Sequence, residues 1–131
     1  RIQLAGVLKA IISQRLIPTK DGKDRVPAVE VMVTTARIRE CIEDKDKTKD
    51  ISDAITKGHT TYGMQTFDQS ILSLLNRGLI SYDEAMRQSS NPDDFSLKVK
   101  GVTGTSDMGW KDFEKEDKAE KPEASNDIER F

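Results

Sequence analysis

Apolar residues recur at helical spacing most clearly at Phe67, Ile71, Leu74 and Leu75, which places them on one face of a helix. Thr66 is a good N-cap for it, and Gln69 stands three residues on, the spacing of a capping box. Gly78 ends the run, where a left-handed residue costs least. Towards the N-terminus, Leu4, Val7, Leu8, Ile11 and Ile12 follow i, i+3, i+4 spacing and predict an amphipathic helix of about three turns. Gln14 to Ile17 should be extended, because Pro18 biases its predecessor away from helix. A polar turn, Lys20-Asp21-Gly22-Lys23-Asp24, leads to Val26–Val33. That stretch is apolar almost throughout and predicts a strand buried on both faces. The two extended segments should pair as a hairpin at the edge of a sheet, since Pro27 fits an edge or a strand start better than a centre.

Downstream the pattern is helical. Thr34 or Thr35 can cap a helix from Ala36 to Asp44, with Ile38 and Ile42 on one side and Cys41 beside them. Lys45 to Lys49 reads as a charged connector. Asp50 starts a short helix through Ile51, Ala54 and Ile55, which Gly58 ends, and His59 reads as a turn residue. Ser81 and Glu84 form a second capping box ahead of Ala85 and Met86. Asn91, Pro92, Asp93 and Asp94 give a third helix start, with Phe95, Leu97 and Val99 as its apolar groups and Gly101 as its stop. Residues 34–101 therefore predict a small helical bundle. From Val102 glycines and dense mixed charge replace the apolar period. Residues 102–131 predict a disordered tail, in which Trp110 and Phe113 are incidental or a partner's anchor.

Composition narrows this picture in a few places. With 131 residues the chain can hold one domain with a modest core. Charged residues are 34% against 35% hydrophobic, so part of the chain is expected to stay unpacked. The net charge of −2 gives no reason to expect nucleic-acid binding. The single cysteine, Cys41, excludes an internal disulfide and fits a reducing compartment. No apolar run approaches the roughly 18 residues of a membrane span, so no direct membrane insertion is expected. The chain begins at Arg1 with a helical period already running at Ile2, which suggests a fragment of a longer protein.

Little in the sequence carries chemistry. Gly101-Val102-Thr103-Gly104-Thr105-Ser106 lacks the lysine and spacing of a phosphate-binding loop. His59 has no second ligand at metal spacing and no triad partners. The acids fall at helix starts, where capping explains them. Glu30 is the exception, a carboxylate inside an apolar strand. It is either an acid of a nucleotide site or interface, or the partner of an arginine such as Arg15 or Arg25.

Three segments carry a family resemblance. Tyr62-Gly63-Met64-Gln65-Thr66-Phe67-Asp68-Gln69 resembles the C-terminal signature of the type IV pilus retraction ATPases, the PilT branch of the type II/IV secretion ATPases. Leu4 to Pro18 is similar to the segment that follows the family's histidine box, and Arg25 to Val33 to the strand after it. Arg37 to Asp44 falls where the family has Ala-Ile-Arg-Asn-Leu-Ile-Arg-Glu. Ile38, Arg39 and Ile42 agree with that retraction motif. Arg37, Glu40, Cys41, Glu43 and Asp44 depart from it. The resemblance spans Arg1 to about Lys100, in the family's order.

The resemblance implies an α/β fold: residues 1–33 as the C-terminal end of a RecA-like P-loop ATPase core, residues 34–101 as a helical subdomain, then the tail. It also implies a cytoplasmic homo-hexamer that docks on the pilus platform protein at the inner membrane and uses ATP and Mg2+ to retract pili and drive twitching motility. The family's Walker A, aspartate, Walker B and histidine boxes would all lie ahead of Arg1. This chain alone should therefore hold no catalytic, cofactor or metal site. Its candidate residues are Ile38, Arg39 and Ile42 of the retraction motif, and Gly63, Met64, Gln65, Thr66, Asp68 and Gln69 of the signature. The alternatives are another secretion-type ATPase, or a stand-alone helical interaction module with no enzymatic activity.

Overall fold

The computed structural model describes residues 1–101. Helix α1 spans Ile2–Val7 and strand β1 spans Ala10–Pro18. The chain turns back through residues 19–24 into strand β2, Arg25–Val33. Five helices follow: α2 (Ala36–Glu43), α3 (Ile51–Lys57), α4 (His59–Tyr62), α5 (Phe67–Asn76) and α6 (Tyr82–Gln88). A last helix, α7, spans Pro92–Val99. The two strands form an antiparallel hairpin in register from Ala10 opposite Val33 to Pro18 opposite Arg25. The predicted tail lies outside the described residues.

The strand begins earlier than the helical period suggested. Ala10, Ile11 and Ile12 pair with Val33, Met32 and Val31 instead of extending α1, and the amide of Thr34 donates to the Lys9 carbonyl at 2.9 Å. Ile11 and Ile12 are β-branched and suit a pleated ladder, so cross-strand pairing prevails over a weak helical period. The connector predicted at 45–49 is a 3₁₀ turn over Lys45–Asp50, capped by the Asp44 side chain. His59 opens a one-turn helix rather than a loop. Asp50 precedes α3 without a side-chain cap bond.

Directly opposed residues of an antiparallel pair share a face. Ile17 with Val26, Arg15 with Ala28, Ser13 with Glu30, and Ile11 with Met32 therefore make up one face of the hairpin. The helices pack there. One core cluster joins Ile17 and Ala28 to Ile71, Leu72 and Leu74 of α5, and to Ile80, Ala85 and Phe95. A second joins Met32 to Ile38 of α2, Ala54 and Ile55 of α3, and Met64. Ala28 and Met32 are the only buried residues of β2, so the expectation of burial on both faces is not met among the described residues. On the opposite face Ile12 and Leu16 of β1 are exposed, while Val29, Val31 and Val33 of β2 are half-buried.

The helix starts follow the sequence closely. Thr66 and Gln69 form the full reciprocal capping box of α5. The Ser81 and Asn91 side chains cap α6 and α7 by accepting from Glu84 and Asp94 amides, and Pro92 takes the first turn of α7; the predicted box at Ser81 closes on one side only, because the Glu84 carboxylate accepts from Arg87 and Gln88 further along α6 instead of reaching back. Gly78 adopts φ 73° after α5, and the Leu79 amide donates back to the Leu74 carbonyl at 3.1 Å.

Candidate functional site

The signature segment runs along the outer edge of β2 and fixes α5 to it. Gln65 and Val31 exchange backbone bonds of 2.8 and 3.0 Å, forming an isolated antiparallel bridge. The Gln65 side-chain amide donates to the Val29 carbonyl at 2.7 Å. One turn into α5, the Ser70 hydroxyl accepts the Val29 amide at 3.0 Å. Gly63 takes the left-handed conformation that ends α4. Met64 is buried in the second core cluster, and its carbonyl lies 2.9 Å from His59 Nδ1. Asp68 accepts the Ser90 amide at 2.8 Å, which ties α5 to the start of the segment before α7. Gln69 is fully buried. Its Oε1 accepts the Thr66 amide at 2.9 Å, and the Gln69 amide donates to Thr66 Oγ1 at 3.1 Å. The signature thus works as a seam that supplies main-chain partners, in keeping with the need of half-buried backbone groups to be paired.

Glu30 belongs to this seam. Instead of pairing with an arginine, its Oε2 accepts the Phe67 amide at 3.3 Å. A carboxylate at that point faces the positive end of the α5 macrodipole. Arg15 approaches from the other side: its guanidinium carbon lies 4.2 Å from the Phe67 ring centroid, and its Nη1 donates to the Gln88 carbonyl at 3.0 Å. Nothing in the spacing of the sequence announces these contacts, because they join positions 37 and 73 residues apart.

The retraction-motif candidates divide by direction. Ile38 is fully buried, and Ile42 packs at the edge of the same cluster. Arg39 is exposed overall. Its Nε donates to the Ala5 carbonyl of α1 at 3.2 Å, so it neither pairs with Glu43 nor points clear of the molecule. On the same helix, Arg37 bonds Asp53 at 2.8 Å and Glu40 pairs with Lys47.

A cleft of about 310 Å³ beside the seam is lined by Glu30, Asp53, Asp68 and Asp94 among others, and four carboxylates there would repel a polyphosphate. Among the described residues no group of three or more His, Cys, Asp or Glu could hold a metal ion. The weak phosphate-loop look-alike from Gly101 lies almost wholly outside the described residues. No helix of the described residues is long and apolar enough to cross a membrane.

Comparison with known proteins gives a consistent neighbourhood, although no family model matches. The chain is 37% identical over 93 residues to the type IV pilus ATPase PilU of Pseudomonas aeruginosa, covering 71% of this chain and 24% of that protein. It is 36% identical over 97 residues to a twitching motility protein of Neisseria gonorrhoeae, covering 74% and 25% respectively. Among solved structures, the pilus retraction motor PilT with bound ADP superposes with a TM-score of 0.54 at 31% identity, over 71% of this chain and 24% of that one. The chain thus spans about a quarter of the length of the relatives it matches. Sequence and fold agree over the same share of both molecules, so over about a quarter of their length this chain is similar to the PilT-like type IV pilus ATPases.

Proposed function

We propose that this chain forms the C-terminal part of a motor that retracts type IV pili and so powers twitching motility. The observation that carries the reading is the joint sequence and fold match to the retraction motor PilT. In this reading residues 1–33 are the last elements of a RecA-like ATPase core and residues 34–101 a helical subdomain. ATP and Mg2+ are bound by parts of the motor outside this chain. The assembly is a homo-hexamer on the cytoplasmic face of the inner membrane, against the platform protein of the pilus machine. The seam of Gly63, Met64, Gln65, Thr66, Asp68 and Gln69 holds the helices to the core, and the α2 residues Ile38, Arg39 and Ile42 turn the nucleotide cycle into movement.

The uncovered side of the hairpin supports the same reading. Ile12 is 72% exposed and Leu16 52%. β1 has no strand on its far edge among the described residues. A two-stranded hairpin with an open apolar face is marginal in water, and a larger sheet would cover it. A stand-alone module would not gain from such a face.

A graft tests the proposal. Residues 1–101 replace the matching quarter of the P. aeruginosa retraction ATPase, and twitching is scored beside ATP hydrolysis. Restored twitching is expected. A graft that hydrolyses ATP but does not twitch would reassign the chain to another secretion-type ATPase. The 131-residue chain alone should release no phosphate from ATP and Mg2+ above blank, and turnover would overturn the division of labour.

A further inference from the structure

Strand β2 is closed along its outer side. Its even-numbered main-chain groups face β1, as does the Thr34 amide that bonds the Lys9 carbonyl, because successive residues of an antiparallel strand alternate in direction. The main-chain groups of Pro27, Val29, Val31 and Val33 therefore point away from β1. Such a row is a template on which another extended chain can pair. Here it is taken up group by group. Pro27 has no N–H to offer. The Val29 amide donates to the Ser70 hydroxyl at 3.0 Å, and the Val29 carbonyl accepts the Gln65 side-chain amide at 2.7 Å. Val31 exchanges both of its main-chain bonds with Gln65. The Val33 carbonyl accepts the Thr35 amide at 2.8 Å.

We propose that the signature segment is a guard on this edge, and that what it excludes is a second copy of the chain. The form of the contact carries the inference. A full strand beside β2 would only move the open edge outward by one strand and leave a new template there. Gln65 instead makes a single isolated bridge, and Thr66 caps α5 immediately after it. A helix bonds its main chain internally and has no edge to extend, so the sheet ends at β2. Gly63, left-handed at the end of α4, turns the chain onto the edge, and the buried Ser70 reaches the edge from α5. With the guard removed, two copies of β2 can pair antiparallel across a twofold axis. The guard is independent of the retraction reading, since every contact in it lies inside this chain.

Sedimentation velocity on the 131-residue chain tests the guard. Pro27→Val restores an outward donor, Gln65→Ala frees the Val29 carbonyl and Ser70→Ala frees the Val29 amide. The variant with all three changes should gain mass with concentration beyond wild type, by about twofold for an isologous pair. Isotope-filtered NMR on a mixed sample should place the new contacts between residues 27–31 of the two copies. Gln65→Ala with Ser70→Ala, keeping Pro27, should associate less. Ile55→Val loosens the second core cluster without touching the edge and should keep the wild-type mass. A triple variant at wild-type mass would overturn the guard. So would contacts on another surface, or equal association of Ile55→Val. Should the triple variant not fold, Ser70→Ala alone decides. Loss of one neutral hydrogen bond should speed exchange of the Val29 amide by about fivefold and leave the Gly58 amide, bonded within α3, unchanged. An unchanged Val29 rate, or equal acceleration of both amides, would overturn the guard in that case.

Discussion

The capping box at the head of α5 offers a measurement whose size follows from its geometry. Thr66→Ala removes the hydroxyl that accepts the Gln69 amide at 3.1 Å, in a place where Thr66 and Gln69 are both buried. Water cannot readily replace the lost acceptor there. Loss of an N-cap costs about 1 kcal/mol, and burial of the orphaned amide moves the figure toward about 2 kcal/mol. The deleted methyl adds roughly 0.8 kcal/mol, for a total near 2.5 kcal/mol. Thr66→Ser deletes the same methyl and keeps the oxygen, so it should cost only that roughly 0.8 kcal/mol. Urea denaturation of the 131-residue chain, followed by circular dichroism, reads both variants against wild type at constant m value. A double-mutant cycle with Gln69→Ala should show coupling of about 1 kcal/mol, because the two side chains serve each other's main chain. If serine and alanine destabilise equally, the hydroxyl contributes nothing to the start of α5.

Other substitutions probe separate joints. Glu30→Ala should lose about 1 kcal/mol by leaving the Phe67 amide without its acceptor, while Glu30→Gln should keep most of it; equal losses in thermal melts would remove Glu30 from the seam. Gly78→Ala should cost about 1 kcal/mol through φ 73° alone, since a methyl there meets nothing within 4 Å; an unchanged melting temperature would contradict that backbone reading. In the hairpin turn, the Thr19 hydroxyl and then the Lys23 amide hold the Asp21 carboxyl below the usual carboxylate range. A lowered folded value stabilises the turn fully above the ordinary carboxylate pKa, and the gain drains away as pH falls through the lowered one. The Lys23 amide resonance should therefore titrate in acid in the wild type and stay flat in Asp21→Asn; a flat wild-type response would show that the turn stands without the charge.

What could be read from the sequence was what chain-local physics decides. The Thr66–Gln69 box, the caps at Thr35, Ser81 and Asn91, and the left-handed stop at Gly78 depend on residues a few positions apart, and all form as their spacing suggests. The hairpin was legible because its two apolar runs flank one polar turn. The end of α1 was not. Residues 10–12 carry a helical period and β-branched chemistry together, and only β2, lying opposite, decides between them. Glu30 was open for a similar reason: an acid in a strand announces a need for a partner, but not that the partner is the head of a helix 37 residues on.

The same limit explains why residue type alone could not give the role of Arg39. A helical position beside buried Ile38 shows only that the side chain lies about 100° away from the core-facing direction. Whether such an arginine meets solvent, an acid on its own helix or another element depends on what the chain folds alongside. Here that element is α1, six residues that bury one alanine, and the nearest acceptor is a carbonyl rather than a carboxylate. A carbonyl at a helix end attracts a guanidinium through the dipole and through its vacant lone pairs, with no charged partner whose own desolvation must be offset. The bond can therefore be made and broken at a modest cost. This bond distinguishes the exposed side of α2 from its other side, where Ile38 is locked into the core with Met32, Ala54 and Met64.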